Sequence, residues 1–233
     1  MKLAGYSIKA LLHLFFPENC MACGGPLAEG ERMLCLGCNI GLPRTGFHHL
    51  QDNPASSKFT GRIPAEAATA FLYFTKEGMV QELVHRVKYA GQQRLGRFLG
   101  YLFALDLMPA GWLSSVDIII PVPLHFKKER QRGYNQAACI AEGLGRASGI
   151  TVLNDALCKT RHTESQTHKS VAARIENVQD AYALKKAELL AGKHLLLIDD
   201  VLTTGATLES CARTLLQAPG TRISLAVLAM TAD

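Results

Sequence analysis

Residues 194–207 read HLLLIDDVLTTGAT, and this stretch decides the fold. The run 194–198 is almost continuously apolar, which suits a strand buried on both faces. Asp199 and Asp200 follow, then a Thr203-Thr204-Gly205-Ala206-Thr207 turn that opens a helical pattern over 206–217. In an open parallel sheet, ligands collect at the carboxyl ends of strands, where such a turn lies. Backbone N–H groups from Thr203 to Thr207, the helix dipole and three threonine hydroxyls suit a phosphate dianion. Gly205 permits close backbone approach. The two carboxylates would repel that phosphate, but they suit hydroxyl groups or a hydrated Mg²⁺. A phosphate with vicinal hydroxyls nearby describes a ribose 5-phosphate. A plain strand-to-helix turn with a threonine N-cap would explain the threonines and Gly205, but not paired acids ending a buried strand.

Outward from this stretch, apolar strands alternate with helices. Strand patterns cover 68–74, 116–120, 151–153 and 222–229. Helical faces recur over 79–89, 92–107 and 135–148. Continuous apolar strands separated by helices predict an α/β fold with an open parallel sheet and helices on both faces. With 48% apolar and 19% charged residues, wholesale disorder is excluded. The 233 residues allow one medium domain with a small appendage.

The appendage is at the N-terminal end. Cys20-x-x-Cys23 and Cys35-x-x-Cys38 are separated by eleven residues, the spacing of a four-thiolate Zn²⁺ ribbon. All four positions are filled by protein, so the metal is expected to be structural. Redox disulfides are the rival, but a thioredoxin-like pair would sit on a βαβ unit. Only Glu29, Glu31 and Arg32 are charged between the knuckles, so the ribbon has no basic footprint for nucleic acid. Cys139, Cys158 and Cys211 read as small core or boundary residues. Ile8, Leu11, Leu12 and Phe15 predict a packing helix over 7–16, too short to span a bilayer. No cleavage site follows, so a cytoplasmic protein without membrane insertion is expected. The domains expected are 1–50 (helix and ribbon), 51–64 (a polar, Pro- and Gly-containing linker) and 65–233 (the sheet domain).

The net charge of +5 is localised. Residues 127–132 carry +3 and residues 156–177 carry +2, which points to an anionic ligand or to solvated loops.

The 194–207 stretch resembles the phosphoribosyl pyrophosphate (PRPP) motif of type I phosphoribosyltransferases. That resemblance implies that Asp199 and Asp200 hold the ribose 2- and 3-hydroxyls, and Thr203, Thr204, Gly205, Ala206 and Thr207 the 5-phosphate. Residues 119–136, IIPVPLHFKKERQRGYNQ, resemble the pyrophosphate loop of that fold. There a strained or cis peptide at Pro121-Val122-Pro123 would aim N–H groups at the diphosphate. Lys127 and Lys128 would bind PRPP, and Arg130 and Arg132 would join Asp199 and Asp200 in catalysis. RGYNQA, Lys88-Tyr89-Ala90-Gly91 and RHTESQTHKSVAARIEN narrow the resemblance to the competence protein F family, across nearly the whole chain. It implies a PRPP-binding role for Lys88 and a loop over the site carrying Arg161, Gln166, Arg174 and Asn177.

The family implies Mg²⁺-dependent phosphoribosyl transfer from PRPP to an unidentified acceptor, in natural transformation. The alternative is a non-catalytic protein binding PRPP, a nucleotide or single-stranded DNA beside other competence proteins; metabolism without DNA is a third reading. Phe71, Tyr73, His85, Lys88 and Tyr89 are expected to line an acceptor hood, against a reading in which the aromatics are core.

Overall fold

The computed structural model describes residues 18–89, 91–160 and 181–231. The expected helix over 7–16 and residues 161–180 lie outside the described residues. Among the described residues no helix is long and apolar enough to cross a membrane.

Among the described residues seven strands form: β1 (Ala67–Phe74), β2 (Ile118–Pro121), β3 (Thr151–Val152), β4 (Leu157–Lys159), β5 (Tyr182–Leu184), β6 (His194–Leu202) and β7 (Arg222–Thr231). A five-stranded sheet has the order β1-β7-β6-β2-β3, every pair parallel. The α-helices are α1 (Leu36–Ile40), α2 (Pro54–Ser57), α3 (Met79–Tyr89), α4 (Gln93–Leu107), α5 (Phe126–Arg132), α6 (Gln136–Ser148), α7 (Ala187–Leu190) and α8 (Ala206–Leu215).

The apolar run of β6 fills both faces because side chains alternate along a strand. Leu196 and Ile198 join one buried cluster with residues of α3, α4 and α6. Leu195 and Leu197 join the opposite cluster with residues of α8. α6, which follows β2 and α5, and α8, which follows β6, therefore lie on opposite faces of the sheet. That makes the β2/β6 junction a topological switch point, with a crevice beyond the strand ends. On the first face α4 and α6 approach closely: a Cβ at Gly100 would collide with the Ile140 carbonyl, and one at Gly143 with the Arg97 carbonyl.

Two segments differ from the sequence-based expectation. Within 51–64, expected as a linker, Asn53 caps α2 in a reciprocal capping box. Its Nδ2 also donates to the Ala68 carbonyl at 3.0 Å, and Ala55, Phe59 and Ile63 are buried on the α8 side of the sheet. Residues 126–132, expected as a loop, form α5. His125 accepts from Lys127 N at its start, and Gly133 ends it in the left-handed conformation.

The cysteine ribbon is packed onto the sheet domain. Cys20, Leu27 and Leu34 belong to the same buried cluster as Phe71 and Leu83. Residues 43–45 cover the free edge of β1, with Thr45 N donating to Phe71 O and Tyr73 N to Pro43 O, each at 2.9 Å. The two-stranded sheet β4–β5 is antiparallel and rests beside α8.

Candidate functional site

β6 continues past its apolar run through both acids to Leu202, which places the Thr203–Thr207 turn beyond the carboxyl end of the central strand. The N-cap of α8 is Gly205, with φ +79° and no side-chain cap, so the turn is not the threonine-capped one that a local reading allows. Thr203, Thr204 and Thr207 are exposed. Asp199 and residues 201–208 line a small open recess around the start of α8. Backbone N–H groups there face no helical partner, as at any helix start.

The turn rests on the segment expected as a linker. A Cβ on Gly205 would stand 2.9 Å from Phe59 Cε1. Arg62 Nη1 donates to the Thr204 carbonyl at 3.0 Å and to the Lys58 carbonyl at 2.8 Å. Its Nη2 pairs with Glu209 in the first turn of α8, and Arg213 pairs with Glu209 at 2.9 Å. Sequence reasoning missed Phe59 and Arg62; no periodicity announces a contact this distant along the chain.

The two acids differ in surroundings. Asp200 Oδ2 lies 3.1 Å from Lys88 Nζ, while Asp200 N donates to Asp199 Oδ1 at 2.8 Å. Asp199 keeps some solvent contact through the recess, yet protein surrounds it. Desolvation pushes its carboxyl up to about 7; the Asp200 carboxylate adds to the rise, and the Asp200 N–H, Lys88 and Lys159 moderate it. Lys159 ends β4 with its ammonium 5.3 Å from the Tyr182 ring centroid. Burial lowers its pKa and Lys128 adds to the fall, opposed by Cys211 and Asp199. Burial raises both Tyr182 and Cys211 well above their ordinary values. Lys159 is thus a member of the site that the sequence reading counted only as loop charge.

The basic segment meets the site less directly. Lys127, Lys128 and Arg130 are exposed on α5, and none forms an ion pair with the acids among the described residues. Arg132 is half-buried, donating to Gln136 Oε1 at 2.9 Å and lying 5.1 Å from the Tyr89 ring centroid. No cis peptide occurs among the described residues, and positions 121–123 have no positive φ; the strained or cis peptide expected there is absent. Arg161, Gln166, Arg174 and Asn177 lie outside the described residues.

Of the expected hood, Lys88 reaches the acids, and His85 and Tyr89 lie on the same last turns of α3, their rings 4.9 Å apart. Phe71 does not belong to it; it stacks on Phe103 at 5.1 Å in the core. Tyr73 packs edge-on against Phe47 at 5.5 Å. Packing demand on β1 places both in the domain's interior packing.

The sulfur atoms of Cys20, Cys23, Cys35 and Cys38 all lie within 4.8 Å of one another, with Cys23 and Cys35 at 3.9 Å. A tetrahedral site with Zn–S bonds of about 2.3 Å has sulfur–sulfur edges of about 3.8 Å. The donor set fits such an ion. Burial would raise the Cys20 thiol, but N–H groups of Cys23, Cys35 and Ala22 pointing at its sulfur bring it down to about 6. Cys38 is pushed up to about 12 by burial and by the three neighbouring sulfurs. Four adjacent thiolates need a cation between them, and this cluster can hold zinc.

The phosphoribosyl transferase domain family matches residues 140–232. Competence protein F of Haemophilus influenzae is 33% identical over 211 residues, covering 86% of this chain and 92% of that protein. DNA utilization protein YhgH of Escherichia coli K12 is 26% identical over 219 residues, 88% of this chain and 93% of that one. Among solved structures, a glutamine PRPP amidotransferase from B. subtilis, complexed with ADP and GMP, superposes with a TM-score of 0.43 at 18% identity. That superposition covers 62% of this chain and only 30% of the other.

Proposed function

The chain belongs to the competence protein F family, and from that premise we propose that it binds PRPP with Mg²⁺ and transfers the phosphoribosyl group to an acceptor, in the service of DNA uptake. The observation that carries the reading is the placing of Asp199 and Asp200 directly before the Thr203–Thr207 turn at the switch point of the sheet. Carboxylates at 199 and 200 accept hydrogen bonds from the ribose 2- and 3-hydroxyls. N–H groups and hydroxyls of residues 203–207 take the 5-phosphate. Lys88 and Lys159 oppose the rise in the Asp199 pKa and so favour its ionised form, in which it can only accept.

Departure of pyrophosphate from C1 builds negative charge on the leaving group. Lys127, Lys128, Arg130 and Arg132 supply the chain's own countercharge, and by the family resemblance Arg161, Gln166 and Arg174 would add to the binding. Mg²⁺, when bound with PRPP, would supply further neutralisation. The four-cysteine cluster holds a structural Zn²⁺, since every coordination position is a thiolate and none is left open for chemistry.

The test is calorimetric titration of PRPP with Mg²⁺ into wild type and into Asp199→Asn/Asp200→Asn, followed by pyrophosphate-release assays over candidate acceptors. Micromolar binding lost in the double variant supports the reading. Absence of binding to folded, metal-loaded wild type overturns it.

A second reading, binding of single-stranded DNA, is favoured by one surface feature. Phe126 and Tyr89 are exposed aromatics, 65% and 64%, among Lys127, Lys128, Arg130 and Arg132. Aromatic faces interleaved with cations suit unstacked bases and a phosphate backbone. Phe126→Ala/Tyr89→Ala should then weaken oligonucleotide binding while leaving PRPP binding in place.

A further inference from the structure

We propose that Arg62, which precedes the sheet domain in the chain, is the positioning residue of the phosphate turn; the proposal rests on the PRPP reading above. In a trans peptide the C=O and N–H point in opposite directions. The Thr204 carbonyl is held by Arg62 Nη1 at 3.0 Å. The N–H of Gly205, in the same peptide plane, is thereby aimed away from Arg62, and Gly205 is among the residues that line the recess. Flipping this peptide would break the Arg62 bond. Phe59 packs behind Gly205, so the turn has little room to shift.

Arg62 has a second effect on the same site. Glu209 stands in the first turn of α8, where an acidic residue suits the helix dipole but repels an incoming phosphate. Arg62 and Arg213 both pair with Glu209 and offset that repulsion. Arg213 also donates to the Arg62 carbonyl, which ties the segment to α8 from the other side. Nη1 and Nη2 of Arg62 are engaged with Lys58, Thr204 and Glu209, so Arg62 is assigned a role in positioning the turn.

The experiment titrates two partial ligands separately, ribose 5-phosphate and Mg²⁺-pyrophosphate, into full-length wild type, Arg62→Met and Arg62→Lys, with melting curves for each protein. Arg62→Met should lose about tenfold or more in affinity for ribose 5-phosphate. Its affinity for Mg²⁺-pyrophosphate should be unchanged, a selectivity that general destabilisation would not produce. Arg62→Lys keeps the charge but lacks the planar fork, and should lose about threefold to tenfold on ribose 5-phosphate. If Arg62→Met does not fold, Arg62→Lys carries the comparison alone. Unchanged ribose 5-phosphate affinity, or equal loss on both ligands, overturns the proposal. A folded wild type that binds neither ligand overturns the PRPP reading and the proposal with it.

Discussion

Lys88 Nζ lies 3.1 Å from Asp200 Oδ2, joining the last turn of α3 to the carboxyl end of β6. Both side chains are mostly shielded, 23% and 16% exposed, so water screens this pair less than an ordinary surface pair. The contact ties a helix packed on one face of the sheet to the acids at the carboxyl end of its central strand.

Replacing Lys88 with Met removes a cation beside both acids and from the path of a polyanionic ligand. PRPP affinity at pH 7 should fall about tenfold, equivalent to about 1.4 kcal/mol. Calorimetry decides the sign: tighter binding would mean that Lys88 merely blocks Asp200.

Asp199 links pH to stability. Its carboxyl sits at about 7 in the folded protein, above its ordinary 3.8, so the folded state keeps a proton that the unfolded chain releases as pH rises from 3.8. Stability without ligand therefore falls across that window. Asp199→Asn removes the penalty and can keep the acceptor for Asp200 N. Melting curves should show the variant gaining more at pH 8 than at pH 5, while PRPP binding is lost at both. An equal gain at the two pH values would show that Asp199 ionisation is not the cause.

Gly205→Ala tests the turn from the backbone side. A left-handed φ costs an L-residue about 1–2 kcal/mol, before the 2.9 Å approach to Phe59 is counted. The melting temperature should drop by roughly 4 °C, with weakened ribose 5-phosphate binding. Adding Phe59→Leu should recover the part due to crowding and not the part due to φ.

Metal removal should be felt beyond the ribbon, because Leu27 and Leu34 share a buried cluster with Phe71 and Leu83. Elemental analysis should find about one zinc per chain. A chelator, or Cys38→Ser, should lower the melting temperature by about 5 °C or more and expose apolar surface to a hydrophobic dye. Since Cys38 holds its proton up to about 12 without metal, uptake releases protons and should weaken as pH falls. An unchanged melting curve in fully demetallated protein would show that the ion contributes nothing to folding.

Much of this protein is determined locally. The apolar run before Asp199 and Asp200, the turn after it and the helical faces at 79–89, 92–107 and 135–148 are all patterns of period or composition within a dozen or so residues. Such patterns specify which elements form and which face is buried. The paired cysteines behave likewise, since their spacing alone brings thiolates toward one ion.

Other features carry no local pattern. α5 has Phe126 as its only apolar residue, so it lacks the stripe that marks a helix, and His125 and Gly133 define it through its ends. The polar composition of 51–64 hides Phe59 and Arg62, whose roles exist only once α8 lies against them. Lys159 becomes a site residue because the β4–β5 pairing carries its ammonium over Tyr182 and within electrostatic reach of Asp199. The position of the acids and the turn at the end of a buried strand was legible in sequence. What holds that turn in shape, and which cations meet the acids, was decided by packing between distant segments, because those contacts depend on how helices and sheet come together and leave no periodic trace along the chain.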